Sequence, residues 1–506
     1  MGVKAAIIAT FAERTKRRLE KESKEARQNQ KDTFQQLLSK GTLTSFGKDH
    51  GFNEIKNHKD FVSHVPLRDY EDFRPYIDEI IAGTHHVLWP GRPLYFAKTS
   101  GTTSGVKYIP ITKDSIPNHI DNARDALFNM MTRLKLKTLF DGKMIFLSGS
   151  PVLEEKGGIP TGRLSGIVNH WIPSWLKGNQ LPSYETNCID DWETKVDKIA
   201  RETLQQDMRL ISGIPPWVQM YYTRLLELSG KETIKEIFPN YQLFVYGGVN
   251  FQPYRAQLEQ LTGGIINSLE TYPASEGFIA FQDLENADDG LALQCNSGIF
   301  YEFIPMQEIA SANPNRLSLS EVELGKEYAV VINSNAGLWG YNLGDTVSFV
   351  SLDPFRLKVT GRVKHFISAF GEHVIAKEVE EALEKTMMKH PCSVQEFTVA
   401  PQVNPPAGQK PFHEWWIEFG TAPSDIISFA KDLNEEMAKE NIYYQDLMDG
   451  KILQPLQVRL LPKGSFKAYM QSIGKLGGQN KVPRLSNDRS VATHLEVYLD
   501  LGPKPT

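Results

Sequence analysis

Between Lys143 and Glu276 the chain alternates short apolar runs with amphipathic stretches. KMIFL (143–147) reads as a buried strand and residues 191–206 as a helix. RLIS is a strand, Pro215 and Pro216 make a turn, and a helix follows. LFVYGGVN (243–250) is a strand ending in a Gly-Gly turn. Residues 254–261 form a helix, and GIINSLETYPASEG (264–277) gives a strand and then a loop. Strands alternating with helices at this rhythm predict an α/β fold with a largely parallel sheet.

The flanking sequence changes character. Residues 3–40, 70–81 (with Pro75 near a bend) and 114–136 carry helical patterns, the last through Ile116, Ile120, Ala123, Leu127 and Met130. The charge run TKRRLEKESKEARQNQK is expected as a solvated face. Residues 157–182, rich in Gly, Pro and Trp, lose periodicity and predict an irregular loop region. From GFIAFQD to GDTVSFV the chain gives short alternating strands, an antiparallel set expected as a distorted barrel. After His390 the pattern restarts as strand, strand, helix, strand. The expected organisation is a large N-terminal domain, 1–360, and a small α+β domain, 361–506, on a hinge.

Composition narrows the functional classes. The chain has 506 residues, 41% apolar and 23% charged, with a net charge of −5. That makes no electrostatic case for nucleic acid or an anionic membrane as partner. No run reaches the about 20 apolar residues of a spanning helix. Residues 5–11 are too short an apolar run for a signal peptide. Cys188, Cys295 and Cys392 lack metal or redox spacing and are expected as buried small side chains in a reducing, cytoplasmic setting.

Five stretches can carry chemistry. YFAKTSGTTSGVKYIP (95–110) packs Thr99, Ser100, Thr102, Thr103 and Ser104 around Gly101 and Gly105, before Lys107. Small residues let backbone N–H groups approach an anion, and hydroxyls add donors, so the loop suits phosphates; a polar hairpin turn uses the same residues. It is neither a Walker loop nor a dinucleotide fingerprint. In TYPASEGF (271–278), Glu276 beside Ser275 and Tyr272 could hold Mg²⁺ or simply be solvated at a turn. In WGYNLGDTVSF (339–349), Asp345 is expected to open a strand and could accept the hydroxyls of a ribose. Arg362 and Lys364 sit in TGRVKHF at the expected hinge. Lys481 lies on the Gly-flanked loop of GGQNKVPRLS.

In this order the five stretches resemble the adenylate-forming superfamily and, within it, the auxin-responsive Gretchen Hagen acyl acid amido synthetases. The resemblance spans nearly the whole chain. TSGTTSGVKYIP matches the family's first loop, Tyr272 to Glu276 its Tyr-x-x-Ser-Glu, and Tyr341 to Asp345 its Tyr-x-x-Gly-Asp, with Asn342 where the family usually has Arg. GRVK matches the superfamily hinge and GGQNKVPR the C-terminal Gln-x-Lys-x-Pro-Arg. The resemblance implies an ATP-dependent ligase that adenylates a small carboxylic acid and then passes the acyl group to an amino acid. It implies ATP binding by Thr99, Ser100, Gly101, Thr102, Thr103, Tyr272, Ser275, Glu276, Asp345 and Arg362. It also implies Mg²⁺ on Glu276, a hinge at Lys364 and an adenylation lysine at Lys481, with Lys467 as rival. Arg124 and Val249 are the expected acid-binding residues, with Trp171, Trp175, Tyr246 and Phe251 as further pocket candidates. A monomer is expected. The alternatives are an acyl-CoA or acyl-AMP ligase and a non-catalytic nucleotide-binding protein.

Overall fold

The computed structural model describes residues 3–100, 106–248, 251–309, 311, 313–362, 366–372, 374–406, 408–473 and 482–499. The chain divides into two units. The first comprises Met1–Thr99, Lys107–Ile189 and Lys195–Val363; the second comprises Lys364–Thr506 with Ser100–Val106 and Asp190–Thr194.

The first unit is built on a mixed sheet of twelve strands. One half is parallel: Gln180–Leu181, Lys143–Phe146, Met208–Ser212, Leu243–Gly247 and Ser268–Ala274 lie side by side in that order. The last four are the apolar runs of the alternating segment, carrying buried positions under covering helices; Gln180–Leu181, half-buried, falls in the stretch expected as an irregular loop. The antiparallel set is not a separate body. It continues the same sheet outward from Ser268–Ala274 through Gly277–Phe281, Leu291–Leu293, Phe355–Arg362, Tyr341–Leu352, Glu327–Ser334, Ile299–Pro305 and Leu317–Ser318. A hairpin makes the change of direction: Ala274 pairs with Gly277, and Ser275 and Glu276 form its two-residue tip. A second sheet takes the order Val106–Ile111, Tyr95–Ser100, Ile159–Gly162, Glu154–Lys156.

Local signals place several helices where the sequence predicts them. Tyr70–Ile81 begins with a capping box in which Asp69 and Asp72 satisfy each other's backbone N–H groups, and Pro75 is accommodated within it. Residues 3–41 form two helices, Val3–Lys24 and Ala26–Gly41, rather than one. Pro215 and Pro216 begin the helix Pro215–Ser229 instead of a turn, because its first N–H groups need no partner. Residues 157–182 hold the strand Ile159–Gly162 and the short helices Leu164–Asn169 and Ser174–Lys177. Cys295 is buried as expected, whereas Cys188 and Cys392 are half-buried; all three are free thiols.

The second unit contains a three-stranded sheet. Ser393–Gln402 runs antiparallel to Phe412–Thr421, which runs parallel to Gln457–Leu461. The central strand is buried on both faces, so Trp415 and Trp416 face opposite cores. Trp415 stacks on Phe397, while Trp416 packs with Phe466, Tyr469 and Leu495. His413 and Glu372, both fully buried, pair at 2.8 Å.

Candidate active site

The hairpin tip and the strand Tyr341–Leu352 bring two of the five stretches together. Each stretch carries a tyrosine four residues before a carboxylate: Tyr272 before Glu276, Tyr341 before Asp345. In the folded unit each tyrosine serves the other stretch's acid. Tyr272 Oη donates to Asp345 Oδ2 at 2.6 Å, and Tyr341 Oη donates to Glu276 Oε1 at 3.1 Å. All four side chains are buried or half-buried, where a charge-assisted hydrogen bond holds geometry well.

Backbone geometry sets these positions. Gly277 follows Glu276 where a Cβ would stand 2.5 Å from Ile299 Cδ1, so any larger residue there would displace the Ile299 side chain. Asn118, on the helix Ile116–Arg133, accepts from Phe278 N–H at 2.7 Å and pins the start of the returning strand. Asp345 does not open its strand; it is the fifth residue of Tyr341–Leu352, opposite Arg362 in the register. Asn342 Oδ1 accepts from Gly344 N–H at 2.9 Å, closing a small turn before Asp345 that uses Gly344 at φ +85°. The residue that departs from the family pattern therefore shapes the backbone beneath the aspartate.

A neighbouring stretch braces Tyr341. Arg68 donates its N–H to Gly340 O at 2.9 Å and accepts at its carbonyl from Asn342 N–H at 2.8 Å. The Arg68 guanidinium lies over Phe46 and donates to His50 Nε2 at 2.8 Å. His50 Nδ1 then donates to Phe46 O at 2.8 Å, so the ring is neutral. Burial, with the charge of Arg68, holds the His50 pKa below its usual 6.5 against the pull of that carbonyl.

The remaining expected residues are distributed as follows. Thr99 and Ser100 end the strand Tyr95–Ser100; Val106–Ile111 follows, and Gly101, Thr102 and Thr103 lie outside the described residues. Lys364, Lys481 and Val249 also lie outside them. Arg362 is placed only through its backbone register. Just beyond Lys481 the chain joins the strand Ser393–Gln402: Val399 N–H donates to Arg484 O at 2.9 Å and Ser486 N–H to Val399 O at 3.0 Å. Lys467 sits exposed in the first turn of the helix Ser465–Ser472 rather than on a loop.

Arg124 lines a cavity of about 1200 Å³ between the helices Val3–Lys24 and Ile116–Arg133, with Ile7, Phe11, Pro117 and Asn122. Its guanidinium pairs with Asp121 at 2.8 Å and Asp125 at 3.0 Å. Asp125, 2% exposed, also pairs with Arg18, so the early charge run is tied down there rather than simply solvated. Trp171 is exposed, whereas Tyr246 and Phe251 are buried and stack at 4.3 Å.

Among the described residues no group of three or more His, Cys, Asp and Glu side chains is arranged to hold a metal. Mg²⁺ asks for less: one or two carboxylates, with water and substrate phosphate completing the shell. Glu276, half-buried and oriented by Tyr341, fits that demand. Tyr341, present in the matched motif, carried no site role in the sequence reading; the fold gives it one as the donor to Glu276. Its signal was the repeated four-residue offset from tyrosine to acid.

The GH3 family N-terminal domain matches residues 15–180 and 164–266, the central domain residues 292–362 and the C-terminal domain residues 376–490. The chain belongs to the GH3 family. A jasmonoyl–L-amino acid synthetase of Nicotiana attenuata, JAR4, is 23% identical over 91% of this chain and 91% of its own. The indole-3-acetic acid-amido synthetase GH3.3 of Arabidopsis thaliana is 23% identical over 93% of this chain and 92% of its own. Among solved structures, the AtGH3.15 acyl acid amido synthetase in complex with 2,4-DB superimposes with a TM-score of 0.62 at 17% identity, covering 97% of this chain and 96% of that one. That likeness is one of fold: this GH3 chain has the mixed α/β architecture of the family. No helix among the described residues is long and apolar enough to cross a membrane.

Proposed function

We propose that this GH3 protein is an ATP-dependent acyl acid amido synthetase, joining a small carboxylic acid to the amine of an amino acid. In the first step a carboxylate oxygen attacks the α-phosphorus of ATP, and pyrophosphate leaves. In the second the amine attacks the acyl carbonyl, AMP leaves with the bonding pair, and the amine loses a proton. The reading is supported by similarity to named acid–amino acid ligases along nine-tenths of the chain. The observation that carries it to the residues is the reciprocal pairing of Tyr272 with Asp345 and Tyr341 with Glu276.

In this reading Asp345, oriented by Tyr272, accepts the ribose hydroxyls and sets the α-phosphate in line with the acid. Glu276 is the protein ligand for Mg²⁺, which would offset the repulsion between carboxylate and triphosphate. The 99–103 segment grips phosphates, Ser275 lies beside them at the hairpin tip, and Arg362 adds positive charge. Lys481 stabilises the α-phosphate during adenylation, and Lys364 is the hinge on which the small domain turns between steps. Arg124 and Val249 belong to the acid site; Arg124 would meet a substrate carboxylate by giving up one of its aspartate partners. The protein is taken to be a monomer, and cytoplasmic in keeping with three free thiols.

ATP–pyrophosphate exchange across a panel of aryl and alkyl acids tests the first step. Product analysis with amino acids against coenzyme A tests the second. Exchange with one acid and amide product is the expected outcome. Thioester as the sole product would favour an acyl-CoA ligase, and no ATP binding by calorimetry would leave a scaffold.

A further inference from the structure

Behind Tyr341 lies a buried polar cluster that the reaction does not use directly. Glu302 is fully buried on the strand Ile299–Pro305. Arg316 donates to its Oε2, His58 Nε2 donates to its Oε1 at 2.7 Å, and Asn333 Nδ2 donates to Oε2 at 2.8 Å. Burial alone would raise the Glu302 pKa, but the charge of Arg316 and the hydrogen bond from His58 overcome it and bring it to about 2. The cluster therefore contains a fixed carboxylate.

Asn333 connects that carboxylate to the site. Its Oδ1 accepts from Gly340 N–H at 2.6 Å, and Gly340 immediately precedes Tyr341. The chemistry of the link is restrictive. An ionised glutamate only accepts and a backbone N–H only donates, so a mediator must donate on one side and accept on the other. A neutral carboxamide does both. Gly340 itself is held at φ +60°, where a Cβ would stand 2.8 Å from Pro66 O and 3.1 Å from Arg316 Nη2. With Arg68 holding Gly340 O and Asn342 N–H, backbone groups on both sides of Tyr341 are fixed. Its hydroxyl is thereby presented to Glu276. A buried ion pair is a poor source of net stability, because desolvation offsets the attraction; fixing one geometry is what such a cluster does well.

We propose that Asn333 is a positioning residue for the adenylation site: it transmits the fixed Glu302–Arg316–His58 cluster to the Gly340–Tyr341 peptide and so holds the Tyr341 hydroxyl on Glu276. The inference rests on the adenylation reading above.

The test is a double-mutant cycle of Asn333→Ala and Tyr341→Phe in the full chain. The readouts are calorimetric titration with ATP and magnesium chloride, and KM for ATP against KM for the amino acid. Each single variant is expected to weaken ATP binding by about five- to tenfold, the loss of one hydrogen bond, with KM for the amino acid unchanged. The double variant is expected to fall within about twofold of the worse single, because both break one chain of contacts. A double effect equal to the product of the singles, or a lower melting temperature with unchanged ATP affinity, overturns the proposal. If Asn333→Ala does not fold, Asn333→Ser enters the same cycle under the same criteria. Pyrophosphate exchange by the unaltered protein separates the two readings: its absence with every acid refutes the adenylation reading, while exchange with additive variants refutes only this inference.

Discussion

Tyr272 and Asp345 stand 73 residues apart in sequence, and the tyrosine hydroxyl donates to the aspartate at 2.6 Å inside the first unit. Asp345 is 7% exposed, so protein donors such as this hydroxyl, rather than water, orient its carboxylate. Tyr272→Phe keeps the ring and removes that donor. The loss should be about 1–2 kcal/mol, or roughly tenfold in ATP affinity. KM for ATP in the exchange reaction checks this; an unchanged KM would detach Tyr272 from the ribose site.

Glu276→Gln keeps an acceptor for Tyr341 and removes the charge. The Mg²⁺ concentration for half-maximal exchange should rise by about tenfold or more. A superimposable magnesium titration would exclude Glu276 as the metal ligand.

Lys481→Ala should slow adenylation by about a hundredfold or more while aminolysis of a supplied acyl-adenylate stays near the parent rate. Lys467→Ala, altering an exposed helical position, should change neither step by more than about twofold. Equal losses in both half-reactions for Lys481→Ala, or a selective adenylation defect in Lys467→Ala, would reverse the assignment.

Acid should loosen the brace behind Tyr341. The folded His50 pKa is depressed, so its contribution to stability is present above 6.5 and is lost as pH falls through the folded value. Protonated His50 can no longer accept from Arg68 and repels it. Melting temperature and ATP affinity should therefore fall together from about pH 7.5 to about pH 5.5. His50→Gln, which retains an acceptor, should flatten that trend; an equally steep profile in the variant would assign it to another group.

Arg316→Met leaves the fully buried Glu302 without its cation. Denaturant unfolding should show a loss of about 3–5 kcal/mol, and adding Glu302→Met should recover much of it. A loss below about 1 kcal/mol, the range of an exposed pair, would mean that the pair is not dry.

Interactions that act over a few residues leave their trace in the sequence. Apolar runs of strand length located four of the five parallel strands, Gln180–Leu181 excepted, and helical spacing located Tyr70–Ile81 and Ile116–Arg133. The restarted pattern after His390 located the three-stranded sheet of the second unit. Side-chain direction repeats every 2 or about 3.6 residues, so burial leaves a local imprint. The stretches around Glu276 and Asp345 were visible too, as was each tyrosine four residues before its acid.

Which acid each tyrosine serves depends on the fold. Strand order brings the hairpin tip to Tyr341–Leu352, and those contacts cross 65 and 73 residues, distances at which periodicity carries no information. The same holds for continuation of the antiparallel strands within one sheet and for Asn333 between Glu302 and Gly340. Arg124 shows the same limit: its partners Asp121 and Asp125 are near neighbours in sequence, but the pairing and the burial that anchors Asp125 come from the fold. Local sequence chose the elements and supplied the two tyrosine–carboxylate pairs. Sheet order exchanged their partners, because a buried carboxylate is held by whichever donor the fold brings within hydrogen-bond reach.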